Sequence, residues 1–186
     1  MNKSDLMKQA LIIIDVQNDY FTNGKMELVQ PDQALEKIKQ LEQYFSEKNL
    51  PIIYVQHISP PQASFFQENT DGVLLHSELN AGSDSLIVIK HYPNSFLETN
   101  LDELLKAHQI EQLVITGMMT HMCIDSGTRA AKERGYQPIL IGDATATRDL
   151  TFNGKIVKAE DVQNAFLAAL SMFADVQSTA EFLEKH

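Results

Sequence analysis

Short apolar runs alternate with amphipathic stretches along almost the whole of this sequence. Ala10 to Ile14 is apolar and isoleucine-rich, the pattern of a strand buried on both faces. Runs of the same kind lie at Pro51 to Val55, Leu86 to Ile89, Leu113 to Ile115 and Pro138 to Ile141. Between them the apolar period lengthens. Pro31 opens a helix that runs through Tyr44 and Phe45, with Leu35, Ile38 and Leu41 on one face. Helical patterns follow at Leu101 to His108, at Cys123 to Arg134 closed by Gly135, and at Ala159 to Ala174, and Ser178 is suited to cap a last short helix. Such alternation predicts a three-layer α/β/α fold, a mostly parallel sheet with helices on both faces. Residues 58 to 84 and 143 to 157 follow neither period. Loops of that length in a compact domain are commonly lids or binding loops. No repeat or linker divides the chain, so residues 1 to 186 read as one domain.

Composition narrows the function classes. Hydrophobic residues make up 44% and charged ones 22%, as in ordinary globular proteins, which excludes a disordered chain. The net charge of -10 argues against nucleic acid as a partner, because phosphate binding is driven by Lys and Arg. A single cysteine excludes an internal disulfide framework, and the apolar run that ends in Asp15 is too short for a signal peptide. No apolar stretch approaches the ~20 residues that span a bilayer. The expectation is a cytoplasmic protein with no membrane or nucleic-acid partner.

The candidate chemistry lies where strands end. Open α/β sheets bind ligands at the carboxyl ends of their strands, and three polar residues fall there. Asp15 ends the first strand, Lys90 ends the third, and Cys123 follows the fourth at the start of a helical pattern. An acid, a base and a thiol together make chemical sense, because a thiol needs a proton acceptor and a nearby cation to react as a thiolate. A helix N-terminus would lower the thiol pKa further. Each residue also has an ordinary reading: a lone cysteine is often a small core hydrophobe, Asp15 can cap a loop, and Lys90 can be a solvated strand end.

Four segments, LIIIDVQNDYF at 11 to 21, VIKHYPNSF at 88 to 96, VITGMMTHMCIDSGTRAAKERGY at 114 to 136 and IGDATATRD at 141 to 149, resemble the isochorismatase-like cysteine hydrolases in order and spacing. The resemblance implies a six-stranded parallel sheet of order 3-2-1-4-5-6 and a homo-oligomer. It also implies roles: Asp15 as general base and acid, Lys90 as electrostatic support, and Cys123 as the nucleophile that attacks a carbonyl. On that basis the backbone N–H groups of Met119 and Cys123 form the oxyanion hole, with a cis peptide bond between Met118 and Met119. Tyr20, Phe21, His57, Phe96 and His121 are candidate pocket residues, and of these only Phe96 matches a family motif.

Departures from the family limit the reading. Many relatives read K-x-x-x-SAF, whereas here Lys90 is followed by His91, Tyr92, Pro93, Asn94, Ser95 and Phe96. Nicotinamidases of the superfamily carry a D-x-H-x5-H metal motif after strand two, and here YVQHISPPQASFF offers His57 alone. A lone His does not build a three-ligand zinc site, and His76, His91 and His121 lack ligand spacing, so no metal or other cofactor is expected. GSDSL at 82 to 86 runs into a strand and DSGT at 125 to 128 into a helix, so neither the phosphopantetheine nor the aspartic-protease motif has its context. Siderophore-type isochorismatases generally lack the cysteine and can carry a carrier-protein domain; Cys123 points to the amidase branch. The expectation is a small-molecule hydrolase that cleaves a C–N bond through a thioester. Vinyl-ether cleavage of an isochorismate-like substrate is the alternative, and a non-catalytic binding or scaffold subunit is a third.

Overall fold

The computed structural model describes residues 7–186. Residues 1–6, on which part of the expectation about a signal peptide rests, lie outside the described residues. The all-apolar run near the N-terminus becomes β1 (Gln9–Ile14), every residue of which is buried. It is central because parallel strands cover both of its edges: β2 (Ile52–His57) on one side and β4 (Gln112–Met118) on the other. Beyond β2 lies β3 (Leu86–Lys90), and beyond β4 lie β5 (Gln137–Ala146) and β8 (Asp175–Gln177), all parallel. The order β3-β2-β1-β4-β5-β8 is the 3-2-1-4-5-6 arrangement once the six sheet strands are counted along the chain.

Strand side chains alternate between faces, so β1 feeds two cores. Leu11 and Ile13 pack with Leu35, Ile38, Leu41 and Phe45 of α1 (Pro31–Glu47) and Phe182 of α5 (Thr179–Lys185). Ala10, Ile12 and Ile14 face the opposite layer, with Leu101 and Leu105 of α2 (Leu101–Ala107), Ala130 and Ala131 of α3 (Asp125–Glu133) and Leu170 of α4 (Ala159–Leu170). Chain progression reverses between β1 and β4, the kind of position at whose carboxyl ends open α/β sheets bind ligands. Among the described residues no helix is long and apolar enough to cross a membrane.

Several boundaries differ from the sequence expectation. β5 does not stop at Ile141; past a register shift between Ile115 and Gly117 it continues, so that Thr145 and Ala146 pair with Gly117 and Met118. The rest of the supposed loop after 143 contains an antiparallel hairpin, β6 (Leu150–Phe152) and β7 (Lys155–Val157). Asn153 and Gly154, both at positive φ (49° and 71°), turn it. Asn-Gly is a strong two-residue hairpin signal and was present in the sequence. α4 ends at Leu170 rather than Ala174, because the N–H groups of Phe173 and Ala174 fold back to the Leu170 carbonyl. Ser178 caps α5 as expected, in a reciprocal capping box with Glu181.

The 58–84 stretch is irregular apart from a 3-10 turn at Asp71–Val73, yet it is packed down. Phe66, Val73 and Leu79 are buried in the α1-side core, Phe65 and Leu75 pack half-buried against it, and Leu74 is exposed. The buried Asp19 carboxylate ties the stretch down, accepting the Phe66 N–H at 2.7 Å and the Lys25 N–H at 3.1 Å.

One backbone position has no tolerance. Gly117 sits at φ 120°, and a Cβ there would fall 2.0 Å from the Ile14 carbonyl oxygen of the neighbouring strand. Gly117→Ala should lower stability by roughly 3 kcal/mol or more. Urea unfolding checks this, and a midpoint equal to wild type would contradict the close approach.

Candidate active site

Four neighbouring strands deliver the site. Lys90 is the last residue of β3, and His57 is the last of β2 and its register partner. Asp15 follows β1 directly, and Cys123 lies beyond β4 in a π-helical turn, Thr120–Ile124, that runs into α3. The Lys90 ammonium joins them. Its Nζ donates to Asp15 Oδ2 at 2.8 Å and to Cys123 Sγ at 3.3 Å, and lies 2.8 Å from His57 Nδ1. An ammonium has donors only, so His57 Nδ1 must accept and the neutral ring carries its proton on Nε2.

The Asp15 and Lys90 side chains are completely buried. Burial works against the Lys90 charge, but Asp15 and then Cys123 outweigh it and hold the ammonium above its usual pKa. Asp15 itself sits at φ 53°, a left-handed conformation that non-glycine residues hold only where surrounding contacts enforce it. Asp15 Oδ1 is buried and has no hydrogen-bond partner among the described residues. Buried carboxylate oxygens are nearly always paired, so this one has a free lone pair in a place where that is costly. A donor atom of each of Asp15, His57 and Cys123 lies within 4.8 Å of the others, which puts the thiol beside that carboxylate.

The thiol departs from expectation in one respect. Burial first, and then the Asp15 charge, push the Cys123 pKa well up, with Lys90 opposing. A helix N-terminus was expected to lower it, but α3 starts two residues later, at Asp125, and the sulfur is buried. At rest Cys123 is therefore a thiol, with an acceptor next to it. Before it, the peptide bond between Met118 and Met119 is cis, and the Met119 N–H makes no backbone hydrogen bond among the described residues. That N–H is available to an oxyanion.

Asp15, His57 and Cys123 form the one group among the described residues whose spacing suits a metal ion. Their shared cation position is already held by the Lys90 ammonium, within hydrogen-bond reach of all three. A second cation there would meet direct charge repulsion, so these residues do not fit a metal.

The remaining candidates divide. Tyr20 is buried against Phe66, ring centroids 4.6 Å apart, and its pKa is raised by burial and then by the charges of Cys123 and Asp15, which places it near the trio. His121 is half-buried in the turn that carries Cys123, its Nδ1 2.7 Å from Thr147 Oγ1. Phe21 instead packs on His76 at 4.2 Å. Phe96 shares the Cys123 core layer, stacks with Tyr136 and lies under the Arg134 guanidinium.

Sequence reasoning missed Gln17 and Arg148. Gln17 is fully buried, its amide pairing with the His57 backbone. The Arg148 Nε is buried without a partner among the described residues, and the guanidinium hydrogen bond that is present goes to its neighbour's carbonyl, Asp149 O, at 3.1 Å. Asp149 pairs with Lys158 and the Ala159 N–H instead. The Arg148 charge acts on both Tyr20 and His121. Its place in IGDATATRD was the available signal. An open cavity of about 470 Å³ at the end of β5, lined by Gln33, Asp143, Thr145, Thr147 and Gln163, adjoins His121 through Thr147 and does not reach the trio.

The isochorismatase domain model matches residues 9–181, so the chain belongs to the isochorismatase family of hydrolases. Isochorismatase family protein YddQ of Bacillus subtilis (strain 168) is 43% identical over 180 residues, covering 96% of this chain and all of that one. Secreted isochorismatase effector Isc1 of Verticillium dahliae is 31% identical, covering 91% of this chain and 85% of that one. A crystal structure from Oleispira antarctica assigned to the isochorismatase hydrolases superposes with a TM-score of 0.93 at 40% identity, covering 99% of each chain.

His57 makes stability depend on pH. Burial, and then the Lys90 charge, bring its pKa from 6.5 down to about 4, so below pH 6.5 the unfolded chain binds a proton that the folded chain refuses. The stability that neutral His57 contributes is present above pH 6.5 and is lost as the pH falls through about 4. Urea midpoints should decline across that window in wild type and decline less in His57→Asn. Parallel declines would contradict the assignment.

Proposed function

We propose that this chain is a cysteine-dependent amidase that cleaves a carbon–nitrogen bond of a small molecule through a thioester. The observation that carries the reading is the buried ammonium of Lys90 set between the Asp15 carboxylate and the Cys123 thiol, with one carboxylate oxygen left free. Asp15 Oδ1 takes the thiol proton as Sγ attacks the carbonyl carbon. The carbonyl oxygen becomes an oxyanion held by the N–H groups of Met119 and Cys123, an interaction typically worth ~3 kcal/mol per donor. Asp15 returns the proton to the leaving nitrogen as the C–N bond breaks. Water then attacks the thioester, Asp15 accepts its proton, and the acid leaves as the thiol is restored. Lys90 stays charged throughout.

Other family members support the class. Nicotinamidase of Escherichia coli and ureidoacrylate amidohydrolase RutB of Agrobacterium fabrum are amidases by name, and streptothricin hydrolase of Streptomyces noursei is by name a hydrolase. Arg148, whose buried Nε has no partner among the described residues, favours a substrate with an anionic or oxygen-rich group, since a partly buried guanidinium is stabilised by such a partner. A free nucleophilic thiol also suits a reducing cytoplasm, where we place the enzyme.

Ammonia or amine release across a panel of small neutral and anionic amides, carbamoyl compounds and isochorismate tests the reading. Wild type should turn over an amide or carbamoyl compound, and Cys123→Ala should lose roughly 10³-fold or more. Exhaustive chelation should leave the rate unchanged. Full activity of Cys123→Ala on isochorismate would overturn the amidase in favour of vinyl-ether cleavage, which needs Asp15 and not the thiol.

We also propose a homo-oligomer built on a two-fold dimer. Phe152, Ile156 and Met172 are 76%, 63% and 82% exposed, apolar surface that an interface would cover. Sedimentation should give a dimer or larger species at micromolar concentration, and a monomer there would exclude it.

A further inference from the structure

We propose that His57 is a positioning residue of this site, whose Nδ1 takes the third N–H of Lys90 and so keeps the ammonium between Asp15 and Cys123, and that Gln17 holds His57 there. The inference rests on the reading of Cys123 as the nucleophile and deepens it. A buried ammonium has three N–H groups, and each one left unpaired costs free energy. Here all three are taken, by Asp15 Oδ2, Cys123 Sγ and His57 Nδ1. Remove the imidazole and the freed N–H has one acceptor close by that is still open, Asp15 Oδ1. Turning to it would move the cation off the sulfur and occupy the lone pair that has to receive the thiol proton. His57 thus protects the base while touching neither the thiol proton nor the carbonyl.

Gln17 explains why the ring stays in place. β1 ends at Ile14, so no main chain remains to pair with the last residue of β2, and the buried Gln17 side chain does so instead. Its Oε1 accepts the His57 N–H at 2.9 Å, and its Nε2 donates to the His57 carbonyl at 2.8 Å and to the Val73 carbonyl at 2.7 Å. The other edge of His57 is in register with Lys90. Around the ring stand the charges of Lys90 and Asp15, the imidazole of His91, and the Phe66 ring, 5.9 Å away between centroids. Beside a fixed ammonium a protonated His57 would be repelled, so the neutral acceptor is the stable form.

Alkylation of Cys123 by iodoacetamide needs no substrate and reads the sulfur directly. Rates are measured across pH about 5.5 to 9.5 for wild type, His57→Ala, His57→Asn and Gln17→Leu, with urea unfolding of each. Asn is the diagnostic variant, because its Oδ1 can stand where Nδ1 stood. The expected result is a rate at neutral pH at least about tenfold lower in His57→Ala, with the profile moved to higher pH, a smaller shift of the same sign in Gln17→Leu, and recovery to within about threefold of wild type in His57→Asn. A His57→Ala profile that overlays wild type, or an Asn variant that folds as wild type yet reacts like Ala, would overturn the proposal. ¹⁵N NMR of wild type is independent of any folding defect. It should show His57 protonated on Nε2 alone at neutral pH, and a proton on Nδ1 would overturn the proposal outright. A folded wild type whose thiol does not react at any pH would instead overturn the nucleophile reading, and this inference with it.

Discussion

The Asp15–Lys90 pair is the constraint to which the rest of the site answers. Both side chains are completely buried, and an ion pair in that position gains little net stability, because desolvation of two charges offsets their attraction. Removing either partner, by contrast, leaves an isolated charge in the core. The pair is therefore poorly explained as a stabilising device and well explained as a fixed field. Its span across the sheet makes the point: Lys90 on β3 reaches past β2 to the end of β1, and the acceptors it needs on the way come from consecutive strands. The strand order thus puts Lys90, His57, Asp15 and Cys123 in one row.

Much of that row was legible in the sequence, because strand ends are legible. The all-apolar runs of β1 and β4 stop at a polar residue or a glycine, and a parallel sheet collects such ends along one edge. What could not be read was the pairing between polar groups. Gln17 resembles any polar residue in the turn after a strand, and its burial follows from β1 ending at Ile14, opposite Val55, while β2 runs two residues further to His57. His57 could be assigned only as a pocket wall or a failed ligand, since a sequence does not reveal that an ammonium will fill the place of the metal. The hairpin at 150–157 is a different case. Its Asn-Gly turn was visible, and the flanking strands are merely too short and too exposed to show a period. The π turn that carries Cys123 was hidden because its apolar pattern reads as the start of α3.

The polar residues beneath the loops follow a single logic. A long irregular stretch cannot satisfy its backbone with a sheet ladder, so side chains from the scaffold do it. Asp19 takes two loop N–H groups, Gln17 takes the Val73 carbonyl, and the buried Glu42 takes the Asn80 N–H at 3.0 Å together with the Tyr54 hydroxyl. Three of the site's neighbours, Tyr20, Phe66 and Gln17, are therefore also anchors of the 58–84 stretch. Gln17 thus links that stretch, through the Val73 carbonyl, to the His57 backbone and so to the row at the strand ends.

A buried thiol with a raised pKa looks at first like an argument against a nucleophile. It loses force once the cluster is treated as a unit. With Asp15 ionised, Lys90 charged and Cys123 and His57 neutral, the group carries no net charge, which is the cheapest condition for a closed pocket. Moving the proton from Sγ to Asp15 Oδ1 leaves that total unchanged and only transfers the negative charge from one neighbour of Lys90 to another. The raised pKa describes loss of the thiol proton to solvent, which would leave a net negative charge in the core; attack needs only the internal transfer. Burial thus disfavours the free thiolate without blocking the internal transfer, provided that the ammonium stays within hydrogen-bond reach of both carboxylate and sulfur. Geometry rather than acidity is then what the surrounding residues have to guard.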